Sequence, residues 1–108
     1  MTVIERIQDQ LNQNGVVLYM KGTPDFPQCG FSGRVVQVLQ ACNAKYKAVN
    51  IFDDPELRET LKHYSNWPTY PQLYIKGELV GGCDIVMDLY NKGELAPMLV
   101  AAHHSEAV

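Results

Sequence analysis

The stretch Val16-Val17-Leu18-Tyr19-Met20-Lys21-Gly22-Thr23-Pro24-Asp25-Phe26-Pro27-Gln28-Cys29-Gly30-Phe31-Ser32 decides how the chain is read, because its character changes twice. Val16 to Met20 is short, apolar and β-branched, which reads as a buried strand. Lys21 to Pro27 contains two prolines and a glycine, which exclude regular structure, so it reads as a loop. From Gly30 onward, Phe31, Val35, Val38, Leu39 and Cys42 mark one helical face. Cys29 therefore falls at a helix start, where unsatisfied backbone N–H groups and the positive end of the helix dipole favour thiolate over thiol. Thiolate is both the nucleophilic and the metal-binding form of cysteine. In a dithiol redox motif a second cysteine would stand three places on, and here that residue is Ser32. A disulfide or metal centre built on Cys29 must draw its remaining sulfur from elsewhere.

Upstream, Val3, Ile4, Ile7 and Leu11 recur at helical spacing, and Asn14-Gly15 stops the segment. Downstream, Tyr46 to Phe52 reads as a second strand. Asp53-Asp54-Pro55 then supplies an aspartate cap and a first-turn proline for a helix with the inward stripe Leu57, Leu61 and Tyr64. Asn66 to Pro71 is a second irregular loop. Leu73 to Ile75 and Leu79-Val80 flank Lys76-Gly77-Glu78 as a tight hairpin, Gly81-Gly82 breaks the sheet, and Asp84 to Asn91 is a helix stopped by Gly93. A short helix over about Leu95 to Val100 closes an α-β-α-β-α-β-β-α order. A βαβ unit followed by a hairpin and helix implies an α/β fold: a central four-stranded mixed sheet flanked by helices.

The chain reads as a single domain over residues 1–108, with an N-terminal helix over about residues 1–15 and a flexible tail over about residues 101–108. His103-His104 falls in that tail and reads as solvated rather than metal-binding. A formal charge of −3 without a Lys/Arg run argues against a nucleic-acid binder. No window is apolar enough to span a bilayer. Three unevenly spaced cysteines do not make the disulfide framework of a small secreted protein. The first residues read as an amphipathic helix and not a targeting peptide. A soluble, cytoplasmic, reduced protein is expected.

Lone cysteines are often merely small buried hydrophobes. The flanks of Cys29, a proline-ended loop before and a helix after, instead call for an exposed sulfur. Cys42, on the apolar helical face, is assigned to packing. Cys83, following two glycines at another helix start, is either buried or a slow resolving thiol.

Lys21-Gly22-Thr23-Pro24, Cys29-Gly30-Phe31-Ser32, Trp67-Pro68-Thr69-Tyr70-Pro71 and Gly81-Gly82-Cys83-Asp84 together resemble, in order and spacing, a single-domain monothiol glutaredoxin of the CGFS type, over about Ile4 to Leu99. The resemblance implies a thioredoxin-like fold in which Pro71 is cis and faces the active cysteine. It implies that the Tyr70 backbone pairs with glutathione, an anionic tripeptide with two carboxylates. Lys21 and Arg58 are the cations it points to. Cys83 and Asp84 would offer N–H groups to the second carboxylate, with the Asp84 side chain accepting from the ligand's amino group. Trp67 and Phe31 are read as packing or shaping the loop rather than touching a ligand.

Two functional classes use such a site. In one, Cys29 attacks a glutathione mixed disulfide and a second glutathione resolves it, making the protein an oxidoreductase. In the other, Cys29 is the metal ligand of a [2Fe-2S] cluster, which needs four sulfur ligands: one from each of two chains and two from bound glutathione. The resemblance favours the second, with at most weak reductase activity, a homodimer when cluster-bound and a monomer as apoprotein. It allows a BolA-like partner in place of one protomer and iron-sulfur client proteins as recipients. A purely structural thioredoxin-like module would leave the coincidence of four motifs unexplained.

Overall fold

The computed structural model describes the backbone of residues 1–106 and the side chains of residues 1–102. Helix α1 (Val3–Gln13) opens with a capping box in which the Thr2 hydroxyl accepts from the Glu5 N–H and the Glu5 carboxylate accepts from the Thr2 N–H. Strand β1 (Val16–Met20) follows, buried at every residue. Then come α2 (Gly30–Ala41), β2 (Lys47–Asn50), α3 (Pro55–Ser65), β3 (Gln72–Ile75), β4 (Glu78–Gly81), α4 (Cys83–Asn91) and α5 (Leu95–Glu106). The sheet order is β2-β1-β3-β4, with β1 parallel to β2 and β3 antiparallel to both β1 and β4. The expected four-stranded mixed sheet of the thioredoxin-like glutaredoxin fold is present.

Alternation along β1 divides the core. Val16, Leu18 and Met20 pack with α2, α4 and α5, through Val35, Leu39, Val86 and Leu99 among others. Val17 and Tyr19 face the other way onto α1 and α3, through Ile7, Leu11, Leu57 and Leu61. β1 is thus buried on both faces, as its unbroken apolar run requires.

Several expectations are corrected. Tyr64, expected on the inward stripe of α3, is exposed, as are Ile4 of the α1 helical repeat and Phe31 of the α2 face; each shares a helix with buried neighbours while lying off their face. The second strand ends at Asn50 rather than Phe52. The Asn50 Oδ1 accepts from the Phe52 N–H (3.0 Å) and turns the chain into a single 3₁₀ turn over Ile51–Asp53. The hairpin turn is Lys76-Gly77, both with positive φ (54° and 79°), and Glu78 already pairs with Ile75. Gly81 belongs to β4, and α4 begins at Cys83. α5 continues past Val100 to Glu106, and Ala102 is buried in the core, so the expected tail is helical through that point. The side chains of His103 and His104, and residues 107–108, lie outside the described residues. Asp54 and Pro55 begin α3 as expected, with Asp54 Oδ1 accepting from the Leu57 N–H (3.1 Å). Cys42 is the half-buried C-cap of α2 and packs against the larger core cluster, in keeping with a packing role.

Gly22 turns the chain out of β1 with φ +92°. An added Cβ would come within 2.5 Å of the Phe26 carbonyl oxygen and 2.6 Å of the Gln28 nitrogen. Both atoms are backbone and cannot swing aside. Gly22→Ala is expected to destabilise the fold by at least about 2 kcal/mol, from left-handed strain plus the clash. A lowered urea midpoint at unchanged slope would show this, whereas an unchanged midpoint would mean that the loop relaxes freely.

Candidate functional site

Cys29 is the N-cap of α2, in extended conformation (φ −150°, ψ 134°), and its carbonyl accepts from the Gly33 N–H (3.0 Å). Two ties put it there. The Gln28 N–H donates to the Lys21 carbonyl (2.9 Å), folding the loop back on the end of β1. The Lys21 N–H donates to the hydroxyl of Ser32 (3.1 Å), a residue with no solvent exposure. Asn50 contributes from the next strand, its Oδ1 accepting from the Gly22 N–H (3.0 Å).

The environment lowers the Cys29 pKa. A hydrogen bond from the Ser32 backbone N–H to the sulfur is the largest cause; partial burial opposes it, and the Phe31 N–H, the Lys21 charge and the Ser32 hydroxyl reinforce it. Cys83, at the first turn of α4, is shifted the other way. Burial pushes its thiol up, helped by the Asp84 carboxylate and the Cys29 charge and opposed by Arg34. All three cysteines are free thiols.

A cleft of about 400 Å³ joins these residues. Lys21 and Cys29 line it together with Tyr70 and Pro71 from the second loop and with Cys83 and Asp84 from α4. The Tyr70-Pro71 peptide bond is cis, as expected. Among the described residues neither the N–H nor the C=O of the Tyr70 backbone has a hydrogen-bond partner. Gly82 lets α4 approach closely: an added Cβ would lie 3.3 Å from the Pro71 carbonyl oxygen and 3.4 Å from Trp67 Nε1. The Cys83 and Asp84 N–H groups belong to the first turn of α4, whose donors have no partner within the helix.

Arg58 is placed differently from the other expected residues. It does not line the cleft; its guanidinium lies 5.5 Å from the centre of the Phe52 ring, and its carbonyl accepts from the Tyr70 hydroxyl (2.6 Å). Its Nε is buried without a hydrogen-bond partner among the described residues. Conversely, Phe31 and Trp67 do form part of the cleft wall, as do Thr69 and Ile85, which sequence reasoning passed over. Ile85 had a signal: an apolar residue two places after Cys83, exposed on the same first turn. Thr69 had none beyond its place in the loop.

A family model described as Glutaredoxin matches residues 16–80. The chain is 55% identical over 95 residues to "Probable monothiol glutaredoxin 2" of Rickettsia felis, covering 88% of this chain and 91% of that protein. It is 51% identical over 98 residues to "Glutaredoxin 4" of Escherichia coli K12, covering 91% and 85% respectively. Among solved structures, reduced apo GrxS14 of poplar superposes with a TM-score of 0.83 at 49% identity, covering 94% of each chain.

The opposed shifts of the two cleft thiols have a measurable consequence. An unfolded cysteine titrates near about 8.5. In the folded protein, alkylation of Cys29 by iodoacetamide should reach its plateau at lower pH than in the denatured chain, because the lowered pKa supplies thiolate earlier. Cys83 should lag behind the denatured chain. Residue-resolved mass spectrometry across a pH series checks both; a Cys29 profile that matches the denatured chain would remove the electrostatic case for this site.

Proposed function

Because the chain belongs to the glutaredoxin family, we propose that it acts as a monothiol glutaredoxin that binds glutathione in the Cys29 cleft and carries a [2Fe-2S] cluster between two protomers. The observation behind this reading is that the Cys29 thiol, its pKa lowered, shares one cleft with the unpaired Tyr70 backbone edge. Glutathione laid along that edge would exchange backbone hydrogen bonds with Tyr70 and bring its sulfur toward Cys29. Lys21 answers one carboxylate, with Arg58 as the second cation from α3, and the Cys83 and Asp84 N–H groups answer the other.

The donor set suits a shared cargo. Among the described residues no group of three or more His, Cys, Asp or Glu could hold a metal, and of the two cleft thiols Cys29 is the one whose pKa is lowered, which makes it the sulfur ligand each chain would contribute. A second protomer and two glutathione thiols would complete four. The cluster would supply a deliverable iron-sulfur unit to client proteins, and a BolA-like protein could take the place of one protomer. No helix among the described residues is long and apolar enough to cross a membrane, and a cytoplasmic, reducing setting would keep Cys29 available.

The lowered Cys29 pKa also favours a second reading, glutathione-dependent oxidoreduction. Cys29 thiolate would attack the glutathione sulfur of a mixed disulfide, releasing the target thiolate. A second glutathione thiolate would then attack the Cys29–glutathione disulfide, freeing Cys29 and leaving oxidised glutathione. With serine at position 32 no thiol stands there to resolve the Cys29–glutathione disulfide within the chain.

Anaerobic reconstitution with iron, sulfide and glutathione, followed by visible absorption and size exclusion, separates the readings. The native protein is expected to give a coloured dimer only with glutathione, and Cys29→Ser to stay colourless and folded. Replacing Lys21 and Arg58 together should weaken glutathione binding and dissociate the coloured dimer in step. Colour retained in Cys29→Ser would overturn the ligand assignment, and a colourless native protein that reduces glutathione mixed disulfides would establish the oxidoreductase instead.

A further inference from the structure

Gln72 has no solvent exposure and no place in the cleft wall, yet it is tied to the loop that forms one side of it. Its Nε2 donates to the carbonyls of Trp67 (3.1 Å) and Thr69 (3.2 Å), and its Oε1 accepts from the Tyr74 hydroxyl (3.0 Å). A buried amide costs free energy unless its donors and acceptor are paired, and an aliphatic side chain would fill the same space without that requirement. The pattern is selective. Two backbone carbonyls can face only the NH₂ end of the amide, which leaves Oε1 for a donor. Tyr74 is that donor, and burial pushes its pKa up to about 12, so it keeps its proton at neutral pH.

The held segment is irregular and would otherwise be loosely tethered. At its start the Trp67 N–H donates to the Lys62 carbonyl (3.2 Å) and the Ser65 hydroxyl (3.1 Å). At its end the Tyr70 hydroxyl reaches the Arg58 carbonyl (2.6 Å). Between these anchors the Thr69 carbonyl is held by Gln72. Thr69 immediately precedes Tyr70, whose backbone edge is unpaired.

We infer that Gln72 is a positioning residue: through the Trp67 and Thr69 carbonyls it fixes the backbone that presents the Tyr70 edge to a peptide-like ligand, and Tyr74 fixes which way its amide faces. The identity of that ligand as glutathione rests on the function proposed above; the hold on the backbone does not.

The test uses Gln72→Met, which keeps an unbranched side chain of similar length, and Tyr74→Phe, which keeps the ring and removes only the donor. Leu99→Ala, on α5 in the core cluster that contains neither Tyr70 nor Tyr74, is a control for lost stability. Backbone ¹⁵N relaxation and amide exchange at Trp67, Thr69 and Tyr70 are read first without ligand, and reduced glutathione is then titrated. In Gln72→Met the segment should lose order and glutathione affinity should fall about tenfold. Tyr74→Phe should move both readouts the same way by less, and it carries the test if Gln72→Met does not fold. Leu99→Ala should move neither, and the Cys29 alkylation profile should hold in all three. A segment that stays rigid in both variants overturns the proposal whatever happens to affinity, and a loosened segment with unchanged affinity overturns its link to binding. If the native protein itself fails to bind glutathione, the function proposed above falls, while relaxation still decides whether Gln72 holds the backbone.

Discussion

The hydrogen bond from the Lys21 N–H to the buried Ser32 hydroxyl joins the end of β1 to the first turn of α2, and the position of the Cys29 sulfur depends on it. Strand and helix are otherwise separated by a proline-broken loop with no strand pairing beyond one bridge, Gly22 to Pro27. A loop of that composition has no intrinsic geometry. The Ser32 tie, with Gln28 N–H on the Lys21 carbonyl, fixes where the helix starts relative to the sheet. Ser32 therefore does more than omit a second thiol: its buried hydroxyl is the acceptor for the part-buried Lys21 N–H at the end of β1.

From this junction the electrostatics follow. Cys29 and Cys83 line the same cleft and both sit at helix starts, yet their titrations are driven apart. Cys29 is partly open to water and receives N–H groups from Ser32 and Phe31. Cys83 is buried in the core beside the Asp84 carboxylate, which opposes a second negative charge. A helix terminus alone does not activate a thiol; donors must point at the sulfur without full loss of solvent.

The far side of the cleft is organised by different means. No regular element reaches Trp67 to Pro71, so its backbone is held by the side chains of Ser65 of α3 and of Gln72 of β3 backed by Tyr74, while the Tyr70 hydroxyl donates to the Arg58 backbone carbonyl of α3. The result is an unpaired backbone edge in the same cleft as a cysteine whose pKa is lowered.

Much of this was legible in the residues themselves. The apolar run Val16 to Met20, the proline-rich loop, the cap Asp54-Pro55 and the glycine stops each act locally, so the element order and the helix-start position of Cys29 could be read without coordinates. The four motifs pointed to the family for the same reason, since their spacing reflects which loops meet at one end of the sheet. The tertiary structure decided what depends on partners distant in sequence. Asn50 ended β2 early by turning its amide to Phe52 and Gly22; Ala102 continued α5 because a core pocket received it; Phe31 and Trp67 became cleft wall because α2 and the second loop converge there. Arg58 shows the limit most clearly. Its charge and place on α3 were visible, but the burial of its Nε and the use of its carbonyl by Tyr70 arise from packing between elements, which no local pattern encodes.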